Sequence, residues 1–155
     1  MRTIKVLIPG PIKFDFVKSG IKYYERRINN FIKCEFLSPK IKGKFKSVQE
    51  RLKKEAEILK KYLNSKGLLI ILDERGKSLN SIEFAKFLNK LLSSSNEITF
   101  LLGGADGISQ DLKNQAKYSI SLSPLTLNHE IALLVLMEAI YRGLLILKNH
   151  PYHRE

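Results

Sequence analysis

Residues Ile131 to Leu147 restrict what this chain can fold into more than any other stretch. They read Ile-Ala-Leu-Leu-Val-Leu-Met-Glu-Ala-Ile-Tyr-Arg-Gly-Leu-Leu-Ile-Leu, with charge only at Glu138 and Arg142. The run is shorter than the roughly 20 residues a membrane span needs, and both charges fall inside it. It is therefore expected to be a buried helix. A helix that is apolar nearly all round must be covered nearly all round. A chain of 155 residues can cover one such face with its own core. A subunit interface is the place for the other. Glu138 and Arg142 stand four residues apart, the spacing of an intrahelical ion pair worth about 0.2–0.5 kcal/mol.

The preceding sequence alternates strand-like and helix-like segments. Thr3 to Pro9 is rich in Ile, Val and Leu and predicts a first strand. Phe14 to Phe31 carries Phe14, Val17, Ile21, Tyr24 and Ile28 at helical spacing. Lys33 to Leu37 is a short second strand. Ser38 to Lys46 is a basic loop, and Ser47 with Glu50 three residues on is a capping-box start. Gly67 to Leu72 is an unbroken apolar run, as in a strand buried on both faces, ended by Asp73-Glu74-Arg75-Gly76-Lys77. Asn80 with Glu83 caps a helix to about Leu92, and Leu79 is placed to staple onto Phe84. Ile98–Leu102 and about Tyr118–Leu122 complete the strands. No repeat or linker divides the chain. The expected fold is one α/β domain over 1–155, with a mostly parallel sheet and flanking helices. Ligands in such sheets bind beyond the carboxyl ends of the strands, here the loops after Leu72, Leu102 and Leu122.

Charge and cysteine use bound the function. A formal net charge of +12 points to an anionic partner. Between Lys40 and Lys61 there are nine Lys or Arg against three Glu. That segment is either a solvated helix face or an RNA contact. Cys34 is the single cysteine, which excludes an intrachain disulfide framework and fits a reducing cytosol. No signal-peptide pattern follows Met1-Arg2-Thr3, so a cytoplasmic location is expected.

The motifs lie in the last third. Gly103-Gly104-Ala105-Asp106-Gly107 has neither dinucleotide-fingerprint spacing nor the Lys-Ser/Thr of a P-loop. It is a tight turn or a loop that lets backbone approach a ligand. Ser121 to His129 mixes hydroxyls, leucines and one proline, a composition suited to a flat heteroaromatic ligand. His129, His150 and His153 do not make a metal site, because no cysteine or carboxylate cluster completes a shell. The closing Asn149-His150-Pro151-Tyr152-His153-Arg154-Glu155 is an unusual set for a frayed terminus.

In these residues the chain resembles the small SPOUT-superfamily methyltransferases that methylate N3 of a pseudouridine in large-subunit (23S) ribosomal RNA. The resemblance is carried by Leu72-Asp73-Glu74-Arg75-Gly76-Lys77, Leu102-Gly103-Gly104-Ala105-Asp106-Gly107, Ser121 to His129, and Glu138-Ala139-Ile140-Tyr141-Arg142. The closing Asn149–Glu155 is nearly a family signature. The first 66 residues match more loosely, in strand–helix order and in Tyr24-Glu25-Arg26-Arg27. Pro9-Gly10-Pro11 stands where the family more often has Gly-Lys, so no site residue is carried over from there.

The resemblance implies a C-terminal trefoil knot, a homodimer, and S-adenosylmethionine as methyl donor, bound in the knotted loops. It implies that Leu72, Gly103, Gly104, Ser121, Leu122, Ser123, Pro124, Leu125, Thr126, Leu127 and Asn128 line the cofactor. Tyr152, His153 and Arg154 would reach the partner subunit's cofactor site, with Glu138 also in the catalytic set. Physical chemistry fits these roles. Methyl transfer needs in-line approach to the sulfonium methyl, so positioning is much of the catalysis. The imide N3 must lose its proton, to His153 or a water it holds. Arg154 can stabilise charge on the neighbouring carbonyl oxygens. Two other classes compete: a non-catalytic basic RNA-binding or ribosome-associated protein, and an α/β enzyme of another nucleotide. The first explains the charge but neither the glycine loop nor the tail.

Overall fold

The computed structural model describes residues 2–154; Met1 and Glu155, the last residue of the tail motif, lie outside the described residues. The chain runs β1 (Thr3–Leu7), α1 (Asp15–Ile28), β2 (Lys33–Leu37), α2 (Val48–Lys60), β3 (Leu68–Ser78), α3 (Ser81–Ser94), β4 (Glu97–Leu101), α4 (Gln110–Gln115), β5 (Tyr118–Ser121) and α5 (His129–Leu147). The five strands are all parallel, in the order β2-β1-β4-β3-β5. Their carboxyl ends therefore share one edge, and the loops after the neighbouring β4, β3 and β5 meet there.

The strand alternation explains the layers. Successive side chains point to opposite faces of a sheet. Ile4, Val6, Ile70, Ile98 and Phe100 bury on the face covered by α1, α3 and α5, with Val17, Ile21, Leu88, Leu133 and Ile140. Leu7, Leu69, Ile71 and Leu101 bury on the other face with Ala56 and Leu59 of α2 and Leu112 of α4. The unbroken apolar run Leu68–Leu72 of β3, and Ile98, Phe100 and Leu101 of β4, thus serve two cores.

Local signals set the helix starts. Asn80 and Glu83 form a complete capping box on α3. At α2, Ser47 accepts from the Glu50 amide, but the Glu50 carboxylate takes the Lys46 amide rather than that of Ser47. Helix α1 has no local cap. Its Phe14 and Lys13 amides donate at 2.9 and 2.8 Å to Glu130, which is 2% exposed at the start of α5. A carboxylate at a helix N-terminus satisfies orphan amides and suits the macrodipole.

One expectation is modified. Strand β3 does not stop at Leu72: Leu72 and Lys77 both pair with Ile120, so Asp73–Gly76 is an excursion and the strand resumes. A Cβ on Gly76 would meet the Ile120 amide nitrogen at 2.8 Å, so this excursion lies against β5. Helix α5 packs on α1 and α3 on one side only. Its other side leaves Val135 exposed, with Ile131 and Leu134 partly so. Among the described residues no helix is long and apolar enough to cross a membrane.

Candidate functional site

A pocket of about 420 Å³ opens at the carboxyl edge of the sheet, between the excursion of β3, the glycine loop after β4 and the loop from β5 to α5. That volume lies within the roughly 300–1,000 Å³ of small-ligand sites. Leu72, Gly103, Gly104, Ser121, Leu122, Ser123, Leu125, Thr126 and Leu127 all line it. Of the expected cofactor residues, Pro124 and Asn128 stand outside the lining. Asn128 instead caps α5, its side chain accepting from the Glu130 and Ile131 amides.

Each wall has a reason. The glycine loop closes on itself, with the Gly107 amide donating to the Gly104 carbonyl at 3.1 Å. A Cβ on Gly103 would collide with the Gly107 backbone, and Gly107 has φ 83°. Glycine is required at both for this turn to form. Ser123 Oγ accepts from the Leu125 amide at 2.9 Å, a local turn that leaves Leu125 72% exposed beside the pocket. Thr126 Oγ1 donates to Glu74 Oε2 at 2.8 Å and ties the β5–α5 loop to the β3 excursion.

The lining is apolar through its leucines and charged along one side. Asp73 is held below the usual carboxylate range, first by the Arg75 amide and, against its burial, by Lys113 at 3.5 Å. Lys113 and Asp106 also line the pocket. Behind the glycine loop, Arg51 donates to Glu55 at 3.1 Å and stands 3.9 Å from Asp106. Burial pushes the Glu55 carboxyl up, and Arg51 opposes that shift.

The tail forms a second cluster, apart from the pocket lining. Arg142 makes a bidentate pair with Glu138: Nη2 to Oε2 at 2.9 Å and Nε to Oε1 at 3.2 Å. Tyr152 donates its hydroxyl to Glu138 Oε2 at 2.9 Å and packs against Tyr141, with Arg142 over its ring. Arg142 Nη1 lies 3.1 Å from His153 Nδ1. Burial, then the hydrogen bond to Glu138, pushes the Tyr152 phenol up to about 12. The Arg142 guanidinium is raised further, first by its hydrogen bond to Glu138. Tyr152, His153 and Arg154 are thus not pocket residues of their own chain. Glu138 and Arg142 line a smaller cavity with Ser121 and Leu122, which joins the two clusters.

Glu138 also ends an open apolar groove made by Gly20, Tyr23 and Tyr24 of α1 with Ile131, Leu134 and Val135 of α5. Phe16, 59% exposed, lies on the same side of α1. This is the second face of α5 and the chain leaves it uncovered.

Sequence reasoning missed Lys113 as a lining residue, because it missed α4. Ser109 ahead of Gln110-Asp111-Leu112 is an N-cap pattern, and Ser109 Oγ does accept from the Leu112 amide. Among the described residues no group of three His, Cys, Asp or Glu is placed to hold a metal ion.

A family model described as "Predicted SPOUT methyltransferase" matches residues 1–153. The chain is 41% identical to a protein named Ribosomal RNA large subunit methyltransferase H from Dictyoglomus thermophilum, over 97% of this chain and 98% of that protein. It is 38% identical to the protein of the same name from Syntrophomonas wolfei, over 97% and 98%. For the one from Caldicellulosiruptor saccharolyticus the identity is 35%, over 97% and 99%.

Proposed function

The chain belongs to the SPOUT methyltransferase family, and from that membership we propose that it methylates N3 of a pseudouridine in 23S ribosomal RNA. The donor is S-adenosylmethionine, the working unit is a homodimer, and the reaction takes place in the cytoplasm. One observation carries the dimeric site. The pocket is lined without any tail residue, while the tail is pinned at the rim of an uncovered apolar groove. A second copy across that groove brings one chain's tail to the other's pocket.

The pocket's own chemistry fits the donor. Leu72, Leu102, Leu122, Leu125 and Leu127 offer apolar walls to a purine ring. Gly103 and Gly104 leave backbone groups within reach of a ligand, and the wall carries charges of both signs, Lys113 and Asp106 among them. That pairing suits an amino-acid end carrying an ammonium and a carboxylate. When bound, S-adenosylmethionine supplies a methyl group on a sulfonium. A trefoil knot belongs to the same reading.

The tail residues prepare the nucleophile. Glu138 positions Tyr152 and Arg142, and Arg142 in turn positions His153. A guanidinium only donates, so His153 Nδ1 accepts and its proton sits on Nε2. In that tautomer the ring is a donor. With Arg154 it stabilises the negative charge left on the pyrimidine carbonyls once N3 loses its proton, which passes to water. Mass spectrometry of 23S ribosomal RNA from cells with and without the protein tests the reading. Loss of one N3-methylpseudouridine on deletion is expected; an unchanged modification profile contradicts it.

A further inference from the structure

We propose that the Lys40–Lys46 loop, with Lys53 of α2, forms the strip that holds the RNA backbone beside the pocket. This rests on the reading of the chain as an RNA methyltransferase. Within the loop, Lys40, Lys42, Lys44 and Lys46 are exposed, and Ile41 and Phe45 between them are half-buried. The alternation anchors the loop by its apolar residues and turns its lysines outward. Gly43, at φ 121°, makes the bend in the middle.

Pairing separates this strip from the rest of the basic segment, Lys61 at the end of α2 excepted. Arg51, Lys54 and Lys60 each have a carboxylate partner: Glu55, Glu57 and Asp111. Lys40, Lys42, Lys44, Lys46 and Lys53 form no ion pair among the described residues. Unpaired, exposed ammonium groups in a row favour a phosphate backbone, which needs charge but no base readout.

The position is as telling as the charge. Lys40 is bridged to Gly10, and the Gly10 amide donates to Pro39 at 2.9 Å. The neighbouring Pro9 lies 3.5 Å from the space a Cβ on Gly104 would take. On the same side Arg51 approaches Asp106 of the glycine loop. The strip therefore stands at the carboxyl edge of the sheet, against the outside of the pocket wall. RNA held there presents its target nucleotide toward the pocket mouth.

The test uses the full-length protein and isolated large ribosomal subunits. Binding is measured at about 50 and about 200 mM salt, with Lys42, Lys44 and Lys46 changed together to Gln. Each phosphate contact adds about 0.7–0.9 to the salt slope, so the wild type should lose about 20- to 40-fold more affinity over that range than the variant. Calorimetry with S-adenosylmethionine should give the same affinity for both proteins, showing that the fold and pocket survive. A control changing Lys61, Lys66 and Lys86, which are exposed at other places, should keep the wild-type slope. An unchanged slope in the loop variant, or an equal drop in the control, overturns the strip. Methyl transfer to the same subunits is followed separately. No transfer by the wild type, with the slope difference intact, would remove the enzymatic reading and leave a backbone-binding surface.

Discussion

Arg142 Nη1 stands 3.1 Å from His153 Nδ1, and the guanidinium has no lone pair to offer. In this contact Nδ1 is the acceptor, which leaves Nε2 to carry the ring N–H. A glutamine at 153 keeps both features, an acceptor for Arg142 and a donor beyond it. His153→Gln should retain methyl transfer within about tenfold, while His153→Ala should lose about 100-fold or more. Single-turnover rates at saturating cofactor make the comparison. If Gln is as impaired as Ala, the ring takes the proton itself and the donor role is wrong.

Tyr152 gives the tail a high-pH limit. Burial and then Glu138 push its phenol up to about 12, above the ordinary value of 10.0. A group raised in the folded state contributes stability that is full below its unfolded pKa and lost as pH rises through its folded one. Tail docking should thus be complete below about pH 10 and weaken toward pH 12. Ultraviolet difference titration should show a late-ionising tyrosine that is missing in Tyr152→Phe. In Glu138→Gln it should move back toward the ordinary value. A wild-type and Tyr152→Phe pair with identical titration curves would contradict the docked tail.

Neighbouring glycines in the loop after β4 should differ sharply. A Cβ on Gly103 collides with the Gly107 backbone, whereas on Gly104 its nearest neighbour is the Pro9 side chain at 3.5 Å. Gly103→Ala should therefore open the loop and lower cofactor affinity at least about tenfold, because the backbone cannot yield without unmaking the turn. Gly104→Ala should stay close to wild type. Calorimetry with S-adenosylmethionine decides, and equal affinities for the two variants would mean that the loop's closure does not shape the pocket.

Glu130 is a prediction about stability rather than chemistry. Its carboxylate holds the Lys13 and Phe14 amides in a place only 2% exposed. Glu130→Ala strands two donors and should destabilise the fold by about 2–4 kcal/mol. Thermal unfolding should shift down by at least about 5 °C. A shift within experimental error would show that the α1 start is satisfied by solvent.

The parts of the fold that were legible in sequence rest on local physics. Gly67–Leu72 is apolar at every position because β3 serves two cores, and Asn80 with Glu83 marks a helix start through hydrogen bonds four residues apart at most. The leucines and glycines of the pocket were legible as motifs. What was hidden depends on distant pairing. The return of β3 at Lys77 requires β5 as partner, and the cap of α1 comes from Glu130, more than a hundred residues away. Lys113 escaped because α4 is only a turn and a half long and its sequence is polar. By spacing alone Glu138 and Arg142 read as an ordinary helical pair, the resemblance put Glu138 in the catalytic set, and only the folded tail shows that they hold Tyr152 and His153.

The central claim is that one chain's pocket works with the other chain's tail, and mixed dimers test it most directly. One inactive variant carries Arg154→Ala with an intact pocket. The other carries Gly103→Ala, verified by calorimetry to have lost cofactor binding, with an intact tail. Each alone should be inactive on ribosomal subunits. After subunit exchange, verified by mass, a mixed dimer holds one intact pocket facing one intact tail. Methyl transfer should return to about half the wild-type rate per dimer, if the two sites act independently. A verified mixed dimer that stays inactive would contradict a site shared between subunits.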